Sequence, residues 1–268
     1  METPVAITIA GSDSSSGAGI QADLKTFSHF GVYALTVVTC VVAEVPGIVS
    51  SIHAVDRATI RKQLELGVLH FPISVIKTGM LYSAEIIDLV SDMLEALEPH
   101  ERPMVVVDPL MIATSGDSLI QPAAIENYTS RLFTLATIVT PNLDEASVLL
   151  KRPIKSIDEM REGAVELYEK FRTPFLLKGG HLQGAEALDL LVDRNGVQGF
   201  SEVYQREVST HGTGCTYSAA IAANLALNLS LREAVGSAKK YISAAISESF
   251  RWSHHGRTMF ALRHEIAS

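Results

Sequence analysis

Met104-Val105-Val106-Val107-Asp108-Pro109 is an apolar run of four residues closed by a carboxylate and a proline. An apolar run without polar alternation reads as a strand covered on both faces, the pattern of a parallel sheet between helical layers. The proline stops the strand. Asp108 is therefore predicted at the sheet's carboxyl edge, where open α/β sheets bind their ligands.

The same grammar runs outward in both directions. Strands are predicted over Val5 to Ala10, Ala34 to Ala43, Ile73 to Thr78, Ala136 to Thr140 and Pro174 to Lys178. Between them lie helix-period segments from about Ile20, after Asp56, from Ala84, near Ala123, and from Leu143 and Ile157. This alternation predicts an α/β fold, a doubly wound and mostly parallel central sheet with helices on both faces. Leu188 to Val192 and Val197 to Val203, divided by Asp193-Arg194-Asn195-Gly196, carry Asn-Gly turn chemistry and predict a small antiparallel edge hairpin. Two closing helices follow from Thr213 and Leu231. No repeat, low-complexity linker or composition break divides the 268 residues, so a single domain over 1–268 is expected.

Composition narrows the function classes. The chain is 47% hydrophobic and 19% charged, with a formal charge of −8 and two cysteines. The negative balance argues against a nucleic-acid partner and leaves room for a local basic pocket around a small phosphate. No apolar run is long enough to span a bilayer, no secretory pattern opens the chain, and two cysteines build no disulfide framework. A cytoplasmic setting without membrane contact is the expectation.

The residues that follow each strand carry the chemistry. Thr210-His211-Gly212-Thr213-Gly214-Cys215-Thr216 breaks the backbone at two glycines just before a small-residue helix. Unpaired N–H groups at a helix start, with glycines that allow close approach, make an anion site. Cys215 there is a candidate base or nucleophile, its thiolate favoured by the helix terminus; a buried structural cysteine is the equal alternative. Asn142 and Glu145 stand three apart at a helix start, within reach of a hydrated Mg²⁺ beside Asp108, although acidic first-turn residues are common without a metal. Lys178, before Gly179-Gly180-His181, is a cation at the same edge and can neutralise phosphate charge. After the first strand, Gly11 to Gly19 forms a long Ser/Gly loop, with Asp23 one helical turn beyond it. Gly17-Ala18-Gly19-Ile20-Gln21-Ala22 matches the dinucleotide fingerprint, but six residues separate it from the strand end, where a tight turn is required. One edge thus gathers an anion-binding helix start, two carboxylates, an amide and a lysine, a set that describes phosphoryl transfer without a P-loop.

These residues resemble the ribokinase-like superfamily, and within it the hydroxymethylpyrimidine and phosphomethylpyrimidine kinase family of thiamine synthesis. The resemblance is carried by Ala10 to Asp13, Gly17 to Thr26, Lys77 to Leu81, Val107 to Pro109, Thr140 to Ala146, Leu177 to His181 and His211 to Thr216, in family order. It implies phosphorylation, by ATP with Mg²⁺, of the hydroxymethyl group of 4-amino-5-hydroxymethyl-2-methylpyrimidine and then of its monophosphate. Pyridoxine- or pyridoxal-type rings are the nearest rival substrates. By the resemblance Gly11, Asp23, Glu44, Met80 and Val107 would line the substrate pocket. Asp108, Asn142 and Glu145 would organise phosphates and metal, with Asp108 and Glu145 reaching the metal through water. Lys178 and Lys239 would face the nucleotide, and Gly212, Thr213, Gly214 and Cys215 would form the anion hole. A homodimer is expected on the same ground.

The chain departs from the family at the ring pocket. Glu44 replaces the usual Gln, Val45-Pro46 the usual Asn-Thr of a mobile flap, and Ser16 a usual glycine. An amide both donates and accepts, whereas an ionised carboxylate only accepts, so Glu44 asks for a donor-rich or protonated ring, or for a raised pKa of its own. Two other readings, a nicotinamide-dependent oxidoreductase and a silent ring-binding protein, are each weaker than the kinase. Trp252-Ser253-His254-His255-Gly256-Arg257 is expected to be plain surface, without metal.

Overall fold

The computed structural model describes residues 2–111, 122–180, 182, 186–205, 208 and 211–266. Strands β1 (Val5–Asp13), β2 (Tyr33–Val45), β3 (Ile48–Ala54), β4 (Ile73–Thr78), β5 (Met104–Val107), β6 (Ile138–Val139), β7 (Phe175–Lys178), β8 (Glu186–Asp193) and β9 (Gly196–Val203) form one sheet. Their order is β3-β2-β1-β4-β5-β6-β7-β8-β9. Pairing is parallel from β2 through β7 and antiparallel at both margins. The doubly wound, mostly parallel sheet read from the sequence is thus present, and its expected edge hairpin is β8–β9, turned at Gly196 with φ 94°.

Alternation along the buried strands sorts side chains into two cores. Ile7, Ile9, Ile76, Val105, Val107, Val139 and Leu177 face one layer, made by α2 (Arg57–His70), α3 (Ala84–Glu95), α6 (Leu143–Leu150) and α7 (Ile157–Phe171). A short helical passage, α4 (Pro122–Asn127), a π turn (Tyr128–Leu132) and α5 (Phe133–Leu135), packs into the same layer. Ala6, Val75, Val106, Ile138 and Leu176 face α1 (Gly19–His29), α8 (Thr213–Ala226) and α9 (Leu231–Ser247). Every residue of α8 from Cys215 to Ala226 is buried, and its alanines let the sheet and α9 approach closely. No helix among the described residues is long and apolar enough to cross a membrane.

Two hairpins go beyond the sequence reading. Val45-Pro46, expected as a stiffened flap, opens a two-residue turn at Pro46-Gly47 that returns as β3. The last part of the chain forms β10 (Phe250–His254) and β11 (Arg257–Ala261), with His255 and Gly256 at positive φ in the turn. Trp252 is half exposed there, in keeping with the surface reading.

Helix capping separates structural from open termini. Asp56, Ser83, Asn142, Ser156 and Ser230 each accept the N–H three residues on, closing α2, α3, α6, α7 and α9. α1 and α8 begin at Ala18 and Gly212 with no side-chain cap. Both of these N-termini lie at the carboxyl edge of the sheet.

Candidate active site

The strand ends meet in sequence of pairing: Gly79 N–H donates to Ile9, Asp108 N–H to Thr78, Thr140 N–H to Val107 and Lys178 N–H to Pro141. This staircase brings Asp108 and Lys178 together, with Lys178 Nζ 2.9 Å from Asp108 Oδ1. Ser218 Oγ, from the second turn of α8, donates to Asp108 Oδ2 at 3.1 Å. A Cβ on Gly214 would lie 3.3 Å from Lys178 Nζ and 3.9 Å from Asp108 Oδ2. The uncapped start of α8 therefore sits directly against an ammonium and a carboxylate.

Gly212 makes this turn possible. Its φ is 83°, and a Cβ there would fall 1.7 Å from the carbonyl oxygen of Gly17. Only glycine fits both the left-handed backbone and the contact. Thr213, Gly214 and Cys215 follow as the first residues of α8. Thr210 and His181 lie outside the described residues.

Electrostatics divide the carboxylates into two kinds. Burial opposes ionisation of Asp108, but the ammonium groups of Lys178 and Lys77 hold its pKa below the ordinary value. Glu145 is pushed up to about 7 by burial and by the nearby Asp108 charge, against the pull of Lys178. Asn142 and Glu145 close a capping box: Glu145 N–H donates to Asn142 Oδ1 at 2.9 Å and Asn142 N–H to Glu145 Oε2 at 2.8 Å. Asn142 thus commits its oxygen to the start of α6. Asp108 and Glu145 supply only carboxylate oxygens, a donor set suited to Mg²⁺ rather than to softer metals.

Cys215 is 6% exposed, and burial pushes its thiol up to about 11, despite the Lys77 ammonium and the Gly19 N–H that favour the thiolate. The thiolate expected from its helix-start position is corrected accordingly: loss of hydration outweighs the helix terminus here. At pH 8 the neutral thiol is the favoured form. Alkylation of Cys215 by iodoacetamide in the native protein is therefore expected to be at least about a hundredfold slower than in urea. Rapid native modification near pH 7 would contradict this.

Other candidate residues fall into place around the same edge. Gly11 lies against Cys40, whose Sγ would be 2.8 Å from an added Cβ, and against Met80. Thr39 Oγ1 donates to the Met80 carbonyl at 2.7 Å. Val107, expected to line the pocket, is instead fully buried in the core, because alternation along β5 turns its side chain into the helical layer. Glu44, near the end of β2, is largely covered; burial raises its pKa, assisted by Asp13 and opposed by His211. Asp23 does not face open space: it is fully buried, with Lys77 Nζ 2.9 Å from both of its oxygens and Thr8 donating to Oδ2. Lys239 is held by Asp189 at 2.7 Å, while the other Asp189 oxygen accepts the Gly179 N–H at 3.0 Å. Lys239 thereby braces the loop after Lys178 from below.

The sequence reading gave no role to Lys77, Ser218, Asp189, Asp13 or His211. Lys77 carried a usable signal, since a lysine inside the apolar run Ile73 to Thr78 must find a buried partner. The other four announce themselves only through long-range contacts.

The family model described as phosphomethylpyrimidine kinase matches residues 13–259. The chain belongs to that family. It is 41% identical to the hydroxymethylpyrimidine/phosphomethylpyrimidine kinase of Rhizobium meliloti, over 93% of this chain and 92% of the relative. It is 44% identical to the thiamine biosynthesis bifunctional protein ThiED of Geobacter sulfurreducens, over 90% of this chain and 48% of the relative, so it spans about half the length of that protein. The ADP complex of Bacillus subtilis pyridoxal kinase superposes with a TM-score of 0.87 at 35% identity, covering 97% of this chain and 98% of that one. The ribokinase-like fold expected from the sequence is the one these relatives share.

Proposed function

We propose that this protein transfers the γ-phosphoryl group of ATP to the hydroxymethyl group of 4-amino-5-hydroxymethyl-2-methylpyrimidine, and then phosphorylates the resulting monophosphate. The observation that carries this reading is the α8 start, where an uncapped glycine turn meets Lys178 and Asp108. Charge developing on the transferred group would be met by the N–H groups of Gly214 and Cys215 and by the Lys178 ammonium. Asp108 and Glu145 would hold Mg²⁺ through water, and the ion supplies charge neutralisation between phosphates. Asn142 offers its amide to the same phosphates, and Lys239 supports the nucleotide side through Asp189.

Cys215 acts as a neutral thiol that orients the attacking hydroxyl. In a loose transition state the oxygen–phosphorus bond forms before the hydroxyl proton is lost, so a strong base is not required. Gly11, Met80 and Glu44 surround the ring, Val107 packs in the core below them, and Asp23 acts from beneath through Lys77. We further propose one catalytic unit over residues 1–268, a homodimer and a cytoplasmic setting.

A second reading, a pyridoxine-type ring, is favoured by one observation. Glu44 carries a carboxylate with a raised pKa where an aminopyrimidine calls for an amide. ADP release across the aminopyrimidine, pyridoxine, pyridoxal and ribose tests both. Turnover of the aminopyrimidine is expected, with Glu44→Gln improving its kcat/KM relative to pyridoxine by about tenfold. Turnover of ribose alone would overturn both ring readings, and an unchanged preference in Glu44→Gln would show that Glu44 does not read the ring.

A further inference from the structure

Asp13, Glu44 and His211 come from three separate parts of the chain and converge between the ring pocket and the α8 turn. Their nearest ligating atoms lie within 4.8 Å of one another. His211 Nε2 is 3.0 Å from Asp13 Oδ2 and 3.9 Å from Glu44 Oε2. The trio has the composition of a metal site, but the hydrogen bonds argue otherwise. Asp13 already accepts from Ser15 N–H and Oγ, Gly17 N–H and Ala18 N–H, as well as facing His211. A carboxylate with its lone pairs committed to donors is a structural hub, with little left for a cation.

The surrounding backbone is interlocked in the same place. Ser14 Oγ donates to the Glu44 carbonyl at 2.8 Å and accepts the Glu44 N–H at 2.9 Å, clipping the first loop to β2. On the other side, a Cβ on Gly17 would meet the His211 ring at 2.9 Å, and Gly212 abuts the Gly17 carbonyl. The first loop is thus held between the strand that bears Glu44 and the turn that begins α8. The hydrogen bond to Asp13 raises the pKa of His211 against the effect of burial, which favours the imidazolium between the two carboxylates.

We propose that His211 is a specificity-determining positioning residue: hydrogen-bonded to Asp13 and facing Glu44, it draws the ring-pocket carboxylate to one side by charge and locks the first loop to the α8 turn. Ring orientation and phosphate placement are then set by one joint. The inference rests on the ring-kinase reading, and it accounts for how a carboxylate is kept in place of an amide at position 44. The Nε2 that is hydrogen-bonded to Asp13 lies 3.9 Å from Glu44 Oε2, so the protonated imidazole acts on Glu44 by charge, attracting the carboxylate toward this side of the pocket.

A double-mutant cycle tests it, with kcat and KM measured separately for the ring alcohol and for ATP. His211→Phe removes the charge and keeps a ring; it should raise the ring-alcohol KM and lower kcat, together costing about a hundredfold in kcat/KM, with the ATP KM within about twofold. His211→Gln restores an N–H donor and should recover part of the loss. In a Glu44→Gln background the His211 substitutions should have a much smaller effect on the ring KM. Equal losses in the ring and ATP parameters, or additive effects of positions 44 and 211, would overturn the inference while leaving the kinase reading intact. Absence of wild-type turnover with any ring would overturn both. Should His211→Phe fail to fold, the His211→Gln cycle is judged by the same criteria.

Discussion

Gly212→Ala is expected to lower kcat for phosphoryl transfer by about a thousandfold, from displaced anion-hole donors. Alanine at φ 83° is strained, at a cost of about 1–2 kcal/mol. The larger effect is steric, because the new Cβ would overlap the Gly17 carbonyl and the turn must move away from the first loop. Movement of the turn carries Gly214 and Cys215 away from Lys178 and Asp108, so stabilisation of the transferred group is lost along with alignment. Gly31→Ala is the control: Gly31 also has a positive φ, 70°, but nothing lies within 4 Å of an added Cβ. It should show a lowered unfolding midpoint and a kcat within about twofold of wild type, since it carries the backbone strain alone. Equal activity of the two variants would show that the turn does not hold the reacting phosphate.

Lys77→Met should destabilise the fold by about 3–5 kcal/mol at pH 8, the usual consequence of leaving a buried charge without its partner. Lys77 and Asp23 are both fully buried, at 0% exposure. Burial alone would lower the Lys77 ammonium, yet the adjacent carboxylate holds its pKa above the ordinary value, so the lysine stays charged. In Lys77→Met the Asp23 carboxyl loses the interaction that opposes its desolvation, and its folded pKa rises further above the unfolded one. A carboxyl raised in this way contributes fully below the unfolded value of about 3.9 and loses that contribution as pH increases. The deficit in urea unfolding should therefore be larger at pH 8 than at pH 5. Adding Asp23→Leu should recover much of it by removing the stranded carboxylate. A midpoint equal to wild type at pH 8 would contradict the buried pair.

Much of the architecture was legible because parallel strands state themselves plainly. Met104 to Val107 is apolar on both faces and Ile73 to Thr78 is apolar at Ile73, Val75 and Ile76, and the structure places β5 and β4 with those bounds. Helices α3, α6 and α7 begin where Ser83, Asn142 and Ser156 offer cap oxygens. Strand β3 and the β10–β11 hairpin escaped because nearly all residues of β3 and all of β10 are exposed, so no buried face imposes a hydrophobic period. Their signals were the turns, Pro46-Gly47 and His255-Gly256, each between β-forming residues.

At the site, the residues that occupy strand ends could be found by position: Asp108, Lys178 and the Gly212 to Cys215 turn. Their ionisation could not. Cys215 has the helix start that favours a thiolate, but its pKa is decided by burial under α1, which only the assembled fold creates. Asp23 was placed beside the ligand by its helical offset from the first loop, whereas its partner Lys77 lies 54 residues away on β4. His211 was read only as part of the glycine turn for a similar reason, since its contacts with Asp13 and Glu44 join segments that sequence spacing does not relate.

The central claim is phosphoryl transfer to a ring hydroxymethyl group at the α8 start. Phosphorus NMR of the protein with ATP, Mg²⁺ and 4-amino-5-hydroxymethyl-2-methylpyrimidine tests it most directly. The account predicts a phosphomonoester signal that gives way to the paired signals of a diphosphate as ATP is consumed. ATP that persists unchanged, or that yields only inorganic phosphate or a sugar phosphate, would contradict it.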